Sequence, residues 1–440
     1  MSNAMIGGLM FVIMIAMVIL GVPVMIAMFA TAIAGMWWIN GFTMVLTQFT
    51  NGPFTSSASY SYAIMPLFTL LGLLASETGI AQGAYNSMRA FLAKRRGGLL
   101  YATIAGCAVF GACSGSPTAG SVIFSKIAVP EMSKYGYDKS LSLGCVTAAG
   151  ALTILIPPSV PICQMAILAG YSVGTALIYG LSTGILTLIV MFLTVAVLIK
   201  IKPSLVPPVT DADRNIPWKE KIAGLKLLIP ILLLFALIIG GTYLGWFHPT
   251  VGGAVGAFAV VVYALAKRIP VRKVLKACWE SATLYAGVYL IIVSGTLFSR
   301  MISLSGLTKM LIDLIAGAKL PGFVVMLVVI LIYLICGCVM DILAVTVVTV
   351  PIVFPLLVGG FGYDPYVLIM MGVIVSAVGS LTPPIGMGVF TTSNVIREPT
   401  NIIFKGVWPF VVAELIVILL FTFIPQTISW LPNLLALTTG

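Results

Sequence analysis

The chain has 440 residues, of which 60% are hydrophobic and 8% charged, and its mean hydropathy is +1.16. A soluble domain carries roughly 25% charged residues, so the composition excludes an ordinary soluble fold and describes a polytopic, all-α membrane protein. The net charge of +11 does not call for nucleic acid, because basic loops kept on the cytoplasmic side of a membrane give the same excess.

Met1–Ala4, ahead of a second methionine at Met5, read as an expression remnant. No basic n-region or cleavage site follows, so no removable signal peptide is expected. Apolar segments near 6–21, 23–39, 60–76, 176–199, 228–245, 250–266, 280–299 and 407–424 are each about long enough to span ~30 Å of hydrocarbon. Other apolar stretches are interrupted. Leu99–Phe124 is broken by Gly111-Ala112-Cys113-Ser114-Gly115-Ser116-Pro117, and Gly322–Pro351 by Cys336-Gly337-Cys338. Small and polar residues inside an apolar run suggest re-entrant hairpins, which enter and leave by one face.

Each interrupted stretch is followed by a segment carrying a double proline, Pro157-Pro158 and Pro383-Pro384. Proline lacks an N–H and clashes with the preceding turn, so a helix breaks there. Bare carbonyls survive at membrane depth only where they are packed in protein or line a polar cavity. The double prolines lie 226 residues apart, as do Gly136-Tyr137-Asp138 and Gly362-Tyr363-Asp364; Ser76/Gly79 and Ser303/Gly306 repeat at 227. Paired broken segments in two halves point to a transporter's binding site.

Charge sets the orientation. Arg89, Lys94, Arg95 and Arg96 precede the first hairpin and Lys126, Lys134 and Lys139 follow it, so both flanks belong in the cytoplasm. Lys200, Lys202, the 267–276 cluster, Arg397 and Lys405 fall on the same side, whereas the second hairpin is flanked by only Lys309 and Lys319 against Asp313 and Asp364. The hairpins then open to opposite faces. The reading is inverted repeats at 5–204 and 226–440 around a linker at 205–225, with hairpins at about 98–125 and 321–350 and broken helices at about 140–170 and 365–396.

In such an arrangement unwound carbonyls coordinate a small cation, and half-helix N-termini face an anionic substrate. Ser114, Gly115, Ser116 and Thr118 offer hydroxyls and close backbone approach, opposite Thr153, Ile156 and Pro158; Gly337, Gly379, Thr382 and Ile385 mirror them. These neutral oxygens suit a monovalent hard cation, sodium, better than a transition metal. Asp341 is an intramembrane carboxylate, costly and functional by default. Asp138 and Asp364 read as helix caps, Arg300 as snorkelling to the interface, and Trp37-Trp38 as an interfacial belt. The seven cysteines read as packing residues, and His248, the only histidine, has no evident partner. No Walker loop, Gly-x-Ser-x-Gly or HExxH occurs, so no enzymatic activity is expected.

Phe110–Ala119, Pro130–Asp138, Ile156–Ser159 (Ile-Pro-Pro-Ser) and Leu381–Gly386 (Leu-Thr-Pro-Pro-Ile-Gly) together give the chain a form that resembles the large membrane subunit of tripartite ATP-independent periplasmic (TRAP) transporters. The resemblance implies an elevator-type, ion-transporter-like fold in the bacterial inner membrane and sodium-coupled uptake of small organic acids. It also implies a periplasmic substrate-binding protein and a small four-helix membrane subunit, here a separate polypeptide. One sodium site would use backbone around Gly111, Ser114, Thr153, Ile156 and Pro158, the other Gly337, Gly379, Thr382 and Ile385. Gly115, Ser116, Thr118, Pro157, Pro383, Pro384, Gly386 and Asp341 would form the hairpin tips and breaks facing substrate. Gly111 stands where serine is common and Thr153 where glycine is common, and Pro117 follows the Ser-Gly-Ser. Alternatives are a stand-alone proton- or sodium-coupled carboxylate transporter and, from another class, a channel or membrane scaffold.

Overall fold

The structure, a computed structural model, describes residues 2–209, 217–318 and 320–435; Lys319 and residues 210–216 of the expected linker lie outside them. Apolar runs become helices because only a helix satisfies its own backbone inside lipid. In chain order these are α1 (Asn3–Ile19), α2 (Val24–Asn40), α3 (Phe42–Ser57), α4 (Ile64–Glu77), α5 (Ile80–Leu92), α6 (Gly98–Ser114), α7 (Pro117–Lys134), α8 (Lys139–Leu152), α9 (Val160–Ala169) and α10 (Val173–Ile201). The second half supplies α11 (Trp218–Phe235), α12 (Pro249–Ala266), α13 (Val271–Ser305), α14 (Leu307–Gly317), α15 (Gly322–Val339), α16 (Ile342–Phe354), α17 (Pro365–Gly379), α18 (Met387–Ile396), α19 (Thr400–Phe423) and α20 (Gln426–Leu434). Among the described residues, six helical segments are long and apolar enough to cross a membrane: Val173–Ile201, Pro249–Ala266, Val271–Ser305, Gly322–Val339, Ile342–Gly360 and Thr400–Phe423.

From the hairpins onward the two halves repeat the same order of helices. Helices α6 to α10 recur as α15 to α19, and the left-handed glycines Gly79 and Gly136 recur as Gly306 and Gly362. Both Pro157-Pro158 and Pro383-Pro384 are cis. The equivalent helices α10 and α19 run antiparallel: the end of α10, at Leu198 and Lys202, shares a surface cavity with Lys405 and Gly406 at the start of α19. Further along α10, Ser182 Oγ donates to Ile428 O just beyond the end of α19 (2.5 Å).

Basic loops gather at one end. Arg96 donates to Pro203 O (2.6 Å), Asp138 N to Leu205 O (2.9 Å), and Lys139 pairs with Glu398 (2.6 Å). Trp37 and Trp38 are exposed, as an interfacial belt requires. Apolar side chains such as Leu193, Val197, Leu232 and Leu233 face outward, where hydrocarbon is their natural solvent.

Several boundaries differ from the sequence reading. The second hairpin is not interrupted at Cys336-Gly337-Cys338: α15 runs through them and breaks at Met340–Asp341, where Asp341 caps the next helix. The first hairpin breaks at Gly115–Ser116, with Gly111 still helical, and its second arm continues to Lys134 rather than stopping near 125. Asn3 and Ala4 are helical, with Ser2 as their cap. Helix α11 begins at Trp218, inside the expected linker, because Gly224 O accepts from the buried Ser87 Oγ (2.6 Å) and so anchors the segment. Arg300 donates to Gln48 of α3 rather than simply reaching for the interface.

Candidate functional site

The first break follows α8. Tight turns bond Thr153, Ile154 and Leu155 N–H back to Gly150, Ala151 and Leu152 O (3.1 to 3.3 Å), and α9 restarts with Ser159 accepting from Ile162 N (3.4 Å). Among the described residues, no N–H donates to the carbonyls of residues 153–158. Hairpin 1 presses its tip here. A Cβ built on Gly115 (φ +53°) would lie 2.1 Å from Pro158 O, and one on Gly111 would lie 3.0 Å from Thr153 Cα and 3.2 Å from Ile156 Cβ. No larger residue than glycine fits at 115 without moving main chain. Beside them the Ser114 hydroxyl is buried and has no partner among the described residues. All five residues expected at the first cation site are thus in one place.

The second break is built alike. Ser380, Leu381 and Thr382 N–H turn back to Ser376, Val378 and Gly379 O (3.0 to 3.1 Å), and the carbonyls of residues 381–385 receive no backbone N–H among the described residues. Gly337 and Gly379 pack backbone on backbone: a Cβ on Gly379 would sit 2.7 Å from Gly337 Cα. The Thr382 hydroxyl donates to Gly379 O (3.0 Å) and meets Cys338 Sγ (2.9 Å), while Gly386 N reaches Cys338 O (3.4 Å). Ile385 is the exception, since it is 38% exposed.

Between the hairpins lies a cavity of about 200 Å³, lined among others by Thr118, Ser121, Thr147, Asp341, Ser380 and Thr391. Three helices begin at its wall, α7 at Pro117, α16 at Ile342 and α18 at Met387. Their positive ends favour an anion. The carboxylate in the wall, Asp341, already accepts from Leu343 N–H (3.0 Å), so it serves as the α16 cap as well as lining the site. Ser116 likewise caps α7, accepting from Ala119 N (3.3 Å). Of the residues expected to face substrate, Thr118 and Asp341 line this cavity; Gly115, Ser116, Pro157, Pro383, Pro384 and Gly386 do not, and the second break contributes only Ser380 and Leu381. Asp138 and Asp364 cap α8 and α17 as expected, and Asp364 also accepts from Tyr179 OH (3.4 Å).

Sequence reading missed Ser121, Thr147, Ser380 and Thr391. It also missed Gln164, whose Nε2 donates to Leu343 O (2.8 Å) and the Thr346 hydroxyl (3.1 Å), tying α9 to hairpin 2. A buried amide among aliphatic residues was the available signal. Thr147 and Thr392 hydroxyls meet at 3.0 Å across the halves. A larger cavity, about 610 Å³, lies apart from both breaks, between the start of α10 and the loop before α12.

Known proteins place this architecture. The chain is 29% identical over 450 residues to the C4-dicarboxylate TRAP transporter large permease protein of Vibrio cholerae, covering 97% of each chain. It is 29% identical over 431 residues to the ectoine TRAP transporter large permease protein of Halomonas elongata, covering 96% of this chain and 97% of that one. Among solved structures it shares its fold with the YdaH transporter of Alcanivorax borkumensis, at a TM-score of 0.57 and 13% identity, covering 87% of this chain and 89% of that one. The model of the tripartite ATP-independent periplasmic transporter DctM component matches residues 11–427, and the chain belongs to that family of inner-membrane permeases.

Proposed function

We propose that this permease imports a small organic acid by coupling its movement to sodium, with the two helix breaks holding the ions and the cavity between the hairpins holding the acid. The single observation that carries the reading is the pair of breaks whose carbonyls lack N–H donors, backed at the first by the unpartnered Ser114 hydroxyl. A hard monovalent cation is the ligand that such neutral oxygens suit, and unwound main chain of this kind is where transporters coordinate their ions. Gly111, Ser114, Thr153, Ile156 and Pro158 surround the first ion. Gly337, Gly379 and Thr382 frame the second, with Ile385 contributing only its carbonyl. The N-termini of α7, α16 and α18 receive the substrate carboxylate.

The hairpin-bearing elements move as one body past the remaining helices, an elevator motion. A separate small four-helix membrane subunit and a soluble periplasmic binding protein complete the system, and the relatives that carry C4-dicarboxylates make succinate the first substrate to test. Uptake of labelled succinate into proteoliposomes holding all three proteins is expected to stop when sodium is replaced by choline. Undiminished uptake in choline overturns sodium coupling, and sodium-dependent uptake without the binding protein favours a stand-alone carrier.

A further inference from the structure

Helix α19 carries a glutamate that the reading above does not use. Glu414 is 2% exposed, and its Oε2 has no hydrogen-bond partner among the described residues. Its depth follows from the packing of α19 on α8. Ser140 Oγ donates to Ile402 O (2.7 Å), and a Cβ on Gly144 would strike the Gly406 backbone at 2.0 Å. Both pairs have the same sequence separation, so the two helices run parallel and the register carries Glu414 to the depth of Leu152, the last residue of α8. Two turns further along the same face, the Thr422 hydroxyl is also buried without a partner.

Among the described residues Glu414 forms no salt bridge. The elements packed against α19 are α8, α10, α17, α18 and α20. Lys139 at the start of α8 is engaged by Glu398, and Cys145 turns its thiol to Leu100 O (3.8 Å). On α10, Lys200 lies at the basic end and Tyr179 donates to Asp364, the cap of α17 that precedes Tyr366. Helices α18 and α20 bear no ionisable side chain, and Arg397 follows α18 at the basic end. Lys405, on α19 itself, is about 14 Å along the axis at ~1.5 Å per residue. A lone carboxylate in apolar surroundings is far costlier than the acid, which needs a proton, and an intramembrane ionisable group marks function by default.

We propose that Glu414 is a proton-binding site, a carboxylic acid in exchange with bulk water that gives the permease H⁺ as a second ligand beside its cation. Binding forms one O–H bond from a water-borne proton and release returns that proton to water. The test is infrared spectroscopy of the full-length chain in lipid nanodiscs, with no substrate present, so its outcome is independent of the sodium and acid assignments. The wild type is expected to show a carboxylic-acid C=O band at neutral pH that shifts in D2O and fades as the pH is raised. Glu414→Gln loses the band entirely and Glu398→Gln keeps it. Should Glu414→Gln fail to yield monodisperse protein, Glu414→Asp is expected to move the band in frequency rather than remove it. A spectrum with no band assignable to Glu414, or a band indifferent to D2O and pH, overturns the proposal.

Discussion

The two helix breaks share a chemistry and differ in their surroundings. Residues 151–166 are all buried, whereas Pro383, Pro384, Ile385 and Met387 are exposed. Two equivalent glycines meet different neighbours. Gly180 on α10 lies against its own half's break, where a Cβ would sit 3.0 Å from Leu155 O; its counterpart Gly406 on α19 lies instead against α8 of the other half, 1.7 Å from Ser140 O. Helix α10 thus covers the first break through Gly180 and Gly184, whereas α19 clamps α8 through Gly406 and meets the second break through Phe404, against Gly386. The chain thus has one enclosed break and one that is partly exposed.

That contrast can be broken or sharpened by substitution. The largest effect is expected at Gly406→Ala, where main chain must move: it should cost about 3 kcal/mol or prevent folding. Gly180→Ala, facing the mobile end of Ile162 as well as Leu155 O, should cost under about 1.5 kcal/mol; melting temperatures of the purified chain compare them, and equal losses would refute the asymmetry. Next, Gly115→Ala places a methyl on Pro158 O at a positive φ, so uptake should fall at least about tenfold, the equivalent of roughly 1.4 kcal/mol, with the protein still folded by size-exclusion chromatography. Ser114→Ala removes a buried hydroxyl that has no partner, so stability should hold or rise, since an unsatisfied polar group costs about 1–3 kcal/mol. The sodium concentration for half-maximal uptake should nevertheless rise several-fold. Smallest, Lys139→Ala opens a part-exposed ion pair with Glu398 and should change stability by no more than about 1 kcal/mol, less at high salt.

Much of this was legible in the sequence, because the features were punctuation. Paired prolines lacking N–H groups, repeated at a fixed interval, locate both breaks, although the helices end earlier, at Leu152 and Gly379. Hairpin tips were harder to place. Gly337 and Gly379 drew attention as glycines and do pack backbone on backbone, but the interruption falls at Met340–Asp341, where a capping aspartate starts the new helix. Nothing in the sequence distinguishes Thr147 or Thr391 from a hydroxyl that merely bonds its own preceding turn. Their place in the cavity is set by which helices cross there. The asymmetry of the breaks was invisible for the same reason, since Gly180 and Gly406 read identically along the chain and differ only in the partner they meet.

The central claim, that main-chain oxygens at both breaks hold cations, is tested most directly by imaging the reconstituted complex by electron cryomicroscopy in sodium and in choline. The account predicts density beside the carbonyls of residues 153–158 and 381–385 in sodium that disappears in choline, with the first break otherwise unchanged. Density that is absent from both breaks in sodium, or that persists in choline, would contradict it.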